Sequence, residues 1–422
     1  MPEPDTDRTA RAASRSKEAF KALRHRNFRL IWFGQLVSTI GDQMQTVAIA
    51  WQIFVLTNSS LRVGLVGLFG LVPFLLLSFA GGAVADRVDR KRILVATQLM
   101  MMLQSLLLVF ATIADAATPG LIYGVAVLAG ATRAFDQPAR QALVPNLVPP
   151  DDLANALALN TMFRQMATIV GPGLGGLVVG IFGLAPTYAL NAVSFLAIIG
   201  ALIVTDPLPA LSRQVGSGWS VVMGGLRFVR GEPVVLSLLC LDFLATALGS
   251  VRALFPVFAR DILEIGPQGL GLLYSAPAVG AVAGSLIVSV YGSGWRRPTI
   301  ILAATSAYAL CTLGFGFSRL LPLSLLCLIG VGFSDVIGEV MRATIVQLRT
   351  PNALRGRVGA VQVMFALGGP QLGQMQSGVM GSVIGPVAAA AVAGSAVLLA
   401  VGAFALNPLM RRMPTEVAGA TT

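Results

Sequence analysis

Apolar stretches of about 18–25 residues recur about a dozen times along this chain, and no other feature constrains its fold so tightly. At about 1.5 Å of rise per residue, each is long enough to cross a hydrocarbon core roughly 30 Å thick. They fall at 29–55, 61–85, 92–113, 119–141, 153–181, 185–205, 234–258, 267–290, 299–317, 321–345, 358–382 and 386–408. Lipid offers no hydrogen bonds to the backbone, so each stretch must satisfy its own amides as a helix. No alternation of period two, as a membrane barrel requires, runs through them. Only 12% of residues are charged against 55% hydrophobic, roughly half the charge of a soluble domain. The expectation is an all-α membrane protein with 12 transmembrane helices.

Charge orients the helices. Arg8, Arg11, Arg15, Lys17, Lys21, Arg24, Arg26 and Arg29 precede the first span, and Arg87, Arg90, Lys91 and Arg92 follow the second. If the spans alternate, Arg140, Arg213, Arg227, Arg230, Arg296, Arg297, Arg349, Arg355, Arg357, Arg411 and Arg412 lie on the same side, against Arg62, Arg260 and Arg319 on the other. This is the positive-inside asymmetry, and it predicts that both termini are cytoplasmic. The net charge of +11 is therefore topology, with membrane lipid headgroups as its partners and no nucleic acid. The basic region before the first span is followed by an apolar stretch too long for a signal peptide and interrupted by Asp42, so it reads as a disordered tail and then helix.

The segment 205–233, opened by prolines, carries a mixed apolar and basic stretch at Trp219–Arg230 that reads as a surface helix. It divides the chain into a basic tail (1–28), a six-helix half (29–205), a central loop (206–233), a second six-helix half (234–408) and a short tail (409–422). "LVPPDDLANALALNTMF" (147–163) and "LRTPNALRGRVGAVQVMF" (348–365) share a proline, a leucine and a closing Met-Phe, and "STIGD" (38–42) is echoed by "TALGS" (246–250). Two parallel six-helix halves are the arrangement in which secondary transporters place a substrate site at the membrane midplane.

Ionisable residues inside spans are costly unless paired or wet, which makes Asp42, Arg133, Asp136, Arg164, Asp242, Arg252, Asp335, Glu339 and Arg342 the candidates for chemistry. Gln35, Ser38, Asp42 and Gln45 follow i, i+3, i+7, i+10 and draw one polar stripe that should face a central cavity. Asn160 and Arg164 stand one turn apart, and the spacing of Glu339 and Arg342 allows a direct pair. Gln362 adds an amide to span eleven, with Gln371, Gln374 and Gln376 beyond it. Proton coupling needs a group that gains and loses a proton as access alternates. His25, the only histidine, lies in the basic tail, so a buried carboxylate is the candidate carrier: Asp42 first, then Asp242 and Asp335. Arg133, Arg164 and Arg252 could face an anionic or phenolic substrate, or pair with lipid phosphate and carboxylates. Cys240, Cys311 and Cys327 have no metal-ligand spacing, no G-x-x-x-x-G-K-[ST] loop is present for ATP, and no nucleophile and base share a depth; no metal, cofactor or enzymatic activity is expected.

The charged turn "GGAVADRVDRKRIL" (81–94) is, as a pattern, a basic loop in which Gly82 allows close helix approach. As G-x-x-x-D-R-x-D-R-K-R between spans two and three, it closely resembles the signature loop of the major facilitator superfamily. The resemblance implies that Asp86 engages the neighbouring half and, with Arg87, Asp89, Arg90, Lys91 and Arg92, latches the cytoplasmic side in the outward-open state. The second-half counterpart, "YGSGWRRP" (291–298), keeps Arg296 and Arg297 without the acids. "GPGLGG" (171–176) is similar to the glycine-proline pattern that exporters of this superfamily carry in span five. There Pro172 removes a ladder donor, and Gly171, Gly173, Gly175 and Gly176 remove bulk. "RAFDQPARQALVPNLV" and the span-one and span-seven segments look like the bacterial branch that contains the enterobactin exporter and related efflux proteins. That likeness implies a monomeric, inner-membrane, proton-coupled exporter of a siderophore or similar amphipathic small molecule. A multidrug efflux antiporter and a lipid or lysolipid flippase are the alternatives on the same scaffold.

Overall fold

The computed structural model describes residues 20–206, 219–292 and 298–406. Most of the basic tail, Arg213, Arg296, Arg297, Arg411 and Arg412 lie outside the described residues. Twelve helices of 17 residues or more make up the body: α1 Arg26–Thr57, α2 Ser60–Ala85, α3 Arg90–Ile113, α4 Pro119–Leu143, α5 Leu153–Phe182, α6 Leu184–Val204, α7 Pro233–Gly249, α8 Gly266–Tyr291, α9 Pro298–Phe317, α10 Leu321–Arg349, α11 Arg355–Ile384 and α12 Pro386–Leu406. Nine described helices are long and apolar enough to cross a membrane. The long helices outside that set, α1, α4 and α11, carry the polar residues described below.

Helix starts follow local chemistry. The Asp89 carboxylate accepts from the Lys91 amide at 2.8 Å and caps α3, and Thr118 caps α4 ahead of Pro119. Gly183 (φ +92°) and Gly385 (φ +85°) take left-handed conformations at equivalent junctions, α5 to α6 and α11 to α12, where an L side chain would be strained. Span seven departs from the expected continuous helix: α7 stops at Gly249, the chain is irregular at Ser250 and Val251, and a 3₁₀ turn (Arg252–Leu254) then leads into a π-helical segment (Phe258–Ile262). The stretch 234–258 stays apolar on average despite Asp242, Ser250 and Arg252, so mean hydropathy carries no sign of this break.

The halves repeat one packing scheme. Within the first, α2 packs on α4, α1 on α5 and α6, and α3 on α4 and α6; adding six to each number gives the pairs of the second half. Between halves the same symmetry sets α5 against α8 and α11 against α2. The linker helix Trp219–Gly231 lies against α11, where Gly224 and Gly225 let it close onto Arg357, so it is part of the second half's surface.

Arginine-rich loops gather at one end of the bundle, the basic end, and the other is the far end. At the basic end each half has a separate apolar core, one from Ala22, Phe28, Leu143 and Leu202, the other from Val235, Tyr308, Met341 and Val401. At the far end the cores interpenetrate: Val47 of α1 joins Phe255, Phe258 and Phe315, while Ala253 joins Ile53, Phe54 and Tyr188. Hydrogen bonds cross there too, from Ser60 Oγ to the Gly378 carbonyl (2.9 Å), from Ser275 Oγ to the Ile169 carbonyl (2.6 Å) and from Arg260 to Asn58 Oδ1. The molecule is thus closed at the far end.

Candidate functional site: a polar cavity between the halves

A cavity of about 840 Å³ lies between the halves, and its wall runs to Arg140, Gln141, Val144 and Leu157 at the basic ends of α4 and α5. Gln35, Ser38, Asp42 and Gln45, spaced along one face of α1, all line it. Gln45 is fixed from behind: its Oε1 accepts from Ser105 Oγ (2.8 Å) and from Asn191 Nδ2 (2.9 Å), tying α1 to α3 and α6. Arg133 and Asp136 of α4, Asn160, Arg164 and Pro172 of α5, Arg252 beyond the α7 break, Tyr274 of α8, and Gln371 and Gln374 of α11 complete the polar wall.

The charges fall into two sets. Asp136 is satisfied: Arg140 Nε and Nη2 donate to Oδ2 at 3.0 and 2.9 Å, and Thr97 Oγ1 and Gln98 Nε2 donate to Oδ1 at 3.0 and 2.7 Å. It is a structural knot of α3 and α4. Asp42 is in no ion pair among the described residues; Arg133 and Arg140 are the cations that act on its charge from a distance. Arg133 and Arg252 donate to no described protein group, and Arg164 makes a 3.5 Å contact to the Asn160 carbonyl one turn back.

Several sequence candidates sit elsewhere. Arg342, 5% exposed, pairs with Asp242 across α7 and α10, and not with Glu339 as their spacing allowed. Asp242, Asp335, Glu339, Arg342 and Gln362 lie off this cavity wall. In α10, the counterpart of α4, Arg342 reaches α7 and satisfies Asp242 directly. Tyr274 and Arg140 escaped sequence reasoning. Arg140 was legible, lying four residues after Asp136 and seven after Arg133 on one face of α4; Tyr274, an isolated tyrosine in an apolar span, carried no signal.

The charged turn is tied into the first half. Arg90 Nη1 donates to the Ala142 carbonyl (3.0 Å) and Lys91 Nζ to the Thr205 carbonyl (2.7 Å), so both cap helix ends within the first half. Asp86, Arg87, Asp89 and Arg92 are exposed. The close helix approach is made by Gly81, whose position abuts Ala134 of α4, whereas a side chain at Gly82 would meet nothing within 4 Å. In the glycine-proline segment, Gly171 and Gly175 admit α1 (Gln43 and Met44), while Gly176 meets Gly271 of α8 across the halves.

Two pseudo-symmetric helical halves around a polar cavity, sealed at one end, define a multi-pass membrane transporter of the major facilitator fold. Residues 17–419 match the model of the transmembrane secretion effectors, and the chain belongs to that family of major facilitator transporters. It is 26% identical over 376 residues to the enterobactin exporter EntS of Escherichia coli O1:K1 / APEC, covering 89% of this chain and 90% of the relative, and equally to that of Shigella boydii serotype 18. Among solved structures it resembles the nucleoside transporter NupG (TM-score 0.71, 14% identity, 92% of this chain and 100% of that one). It also resembles a bacterial homologue of the iron transporter ferroportin in an inward-facing state (TM-score 0.68, 16% identity, 90% and 98%). Family and relatives are transporters, not enzymes.

Proposed function

We propose that this chain is a secondary active exporter that carries an amphipathic small molecule, a catecholate siderophore of the enterobactin kind, out of the cytoplasm in exchange for protons. The observation that carries the reading is the cavity, sealed at the far end and walled down to the basic end, which the positive-inside asymmetry predicts to face the cytoplasm. A cavity in this state loads from the cytoplasm, and the return to the far-open state releases cargo outside. The 26% identity to enterobactin exporters over nearly the whole chain supports the cargo. Asp42 is the proton carrier, since it is a cavity carboxylate with no ion-pair partner among the described residues while Asp136 is fully engaged. The protein works as a monomer in a bacterial inner membrane, with its lipids around it and both termini inside.

Inverted vesicles test this. Labelled enterobactin accumulates when a pH gradient is imposed, and Asp42→Asn abolishes the gradient-driven component while binding persists. Accumulation of a cationic dye in its place means multidrug efflux. If neither moves, the exporter reading falls and a lipid substrate takes its place.

A further inference from the structure

The cavity wall carries more positive charge than the protein itself neutralises. Its ionisable groups are Asp42, Arg133, Asp136, Arg140, Arg164 and Arg252. Asp136 and Arg140 cancel as a pair, which leaves one carboxylate against three guanidinia, a net charge of about +2. Unpaired charge in a confined, partly apolar site is costly, and the protein has had partners to hand: Asp136 takes its own arginine, and Asp242 takes Arg342. The three remaining arginines are also distributed. Arg133 and Arg164 belong to α4 and α5 of the first half, while Arg252 belongs to the second and stands on the 3₁₀ turn after the break in α7. Tyr274 Oη donates to the Arg252 carbonyl at 3.4 Å and steadies that turn from α8.

We infer that the cavity is a site for an organic anion of two or more negative charges, gripped between Arg133 and Arg164 on one half and Arg252 on the other. This rests on the exporter reading for its role in transport but not for binding. Guanidinium forks match carboxylate, catecholate, sulfonate or phosphate oxygens in pairs. Arg252 follows the far end of α7, so the three guanidinia are spread along the depth of the cavity and a bound anion would span it. Charge on the cargo thus selects it. Phe74, Phe163 and Leu367 give the rest of the molecule an apolar surface.

The test uses the full chain in nanodiscs and naphthalene carrying one, two or three sulfonates, permanently ionised probes whose charge does not change with pH. Affinity measured by titration calorimetry should rise about tenfold or more from the mono- to the disulfonate and fall with added salt. Arg133→Gln, Arg164→Gln and Arg252→Gln should each weaken disulfonate binding about tenfold or more, with Arg252→Lys recovering part of the loss. Asp42→Asn, which removes the competing acid, should tighten it. Each variant is checked for an unchanged melting temperature without ligand. Equal affinity across the charge series, or arginine variants that fold normally and bind as the wild type does, overturns the inference. Displacement of disulfonate by enterobactin assigns the anion to a soluble catecholate; displacement by lysophosphatidate alone assigns it to a lipid headgroup. Charge-selective binding without export sinks the exporter reading and leaves this inference standing, whereas dye export without anion binding does the reverse.

Discussion

Two adjacent glycines in "GPGLGG" should have opposite consequences when given a methyl group. A Cβ at Gly175 would stand 2.7 Å from Met44 Cα and 2.9 Å from its carbonyl oxygen, both in α1 of the same half. A Cβ at Gly176 would stand 2.8 Å from the Cα and amide nitrogen of Gly271, in α8 of the other half. Neither neighbour is a side-chain tip that can swing away, so the helices must part, and overpacking of this kind costs about 1–3 kcal/mol. In Gly175→Ala the cost falls on the fold of the first half in every state. In Gly176→Ala it falls only on the far-closed state, because α5 and α8 must separate when the far end opens. The equilibrium should therefore move toward far-open by about 5–150-fold. Val63→Cys, placed on a residue 5% exposed in the far-closed state, reports the shift when a membrane-impermeant maleimide is added from the far side in a background without the native cysteines. Labelling should accelerate in Gly176→Ala with little change in melting temperature, and the melting temperature should drop in Gly175→Ala with little change in labelling. Equal labelling rates in the two variants, or an equal loss of melting temperature, would refute the division of roles.

Arg260 donates to Asn58 Oδ1 and lies 5.7 Å over the ring of Phe54, bolting the second half to the end of α1; Arg260→Ala should speed the same far-side labelling about fivefold, for a loss of roughly 1 kcal/mol at this exposed site. Asp136→Asn strips Arg140 of its partner and should lower stability by about 2 kcal/mol, below the roughly 3–5 kcal/mol of a fully buried pair because 24% of the Arg140 side chain is exposed; a thermal shift in detergent measures it. At the basic end, His25 Nε2 and Lys21 Nζ each stand 2.8 Å from the Asp152 carboxylate and hold its pKa below the usual carboxylate range. A depressed carboxylate adds stability that is complete above its unfolded value near 3.9 and is lost as pH falls through the lower folded value. The turn at Lys21–Arg24 should therefore stay protected from hydrogen exchange at pH 5 and lose protection below about pH 4, and Asp152→Asn should remove that dependence.

Much of this was legible in the chain. Hydropathy placed eleven spans within a few residues of the observed helices, because in lipid helices end where polar residues or glycines and prolines interrupt the apolar run. The stripe Gln35, Ser38, Asp42 and Gln45 pointed into the cavity by helical arithmetic alone, since four polar residues on one face of a span have nowhere else to go. The partners of the remaining charges were not legible. Glu339 and Arg342 are correctly spaced to pair within α10, yet Arg342 reaches Asp242, a hundred residues earlier in the chain, since α7 and α10 pack together. The π-helical end of span seven was invisible for a related reason: Phe255 and Phe258 are as apolar as helix-forming residues and are held by Phe315 of another helix.

Helix number, the division into two halves and the polar faces follow from sequence by itself, because the bilayer acts as a uniform solvent and each helix answers to it almost independently. Which charges cancel, which stay open to a ligand and which end of the molecule is shut were decided by tertiary structure alone. Those outcomes depend on helix pairs that meet only after both have formed: α7 with α10 for Arg342, α5 with α8 and α2 with α11 for the far seal. Ion pairs and glycine contacts act over a few ångströms, and only the packed bundle brings such distant residues that close.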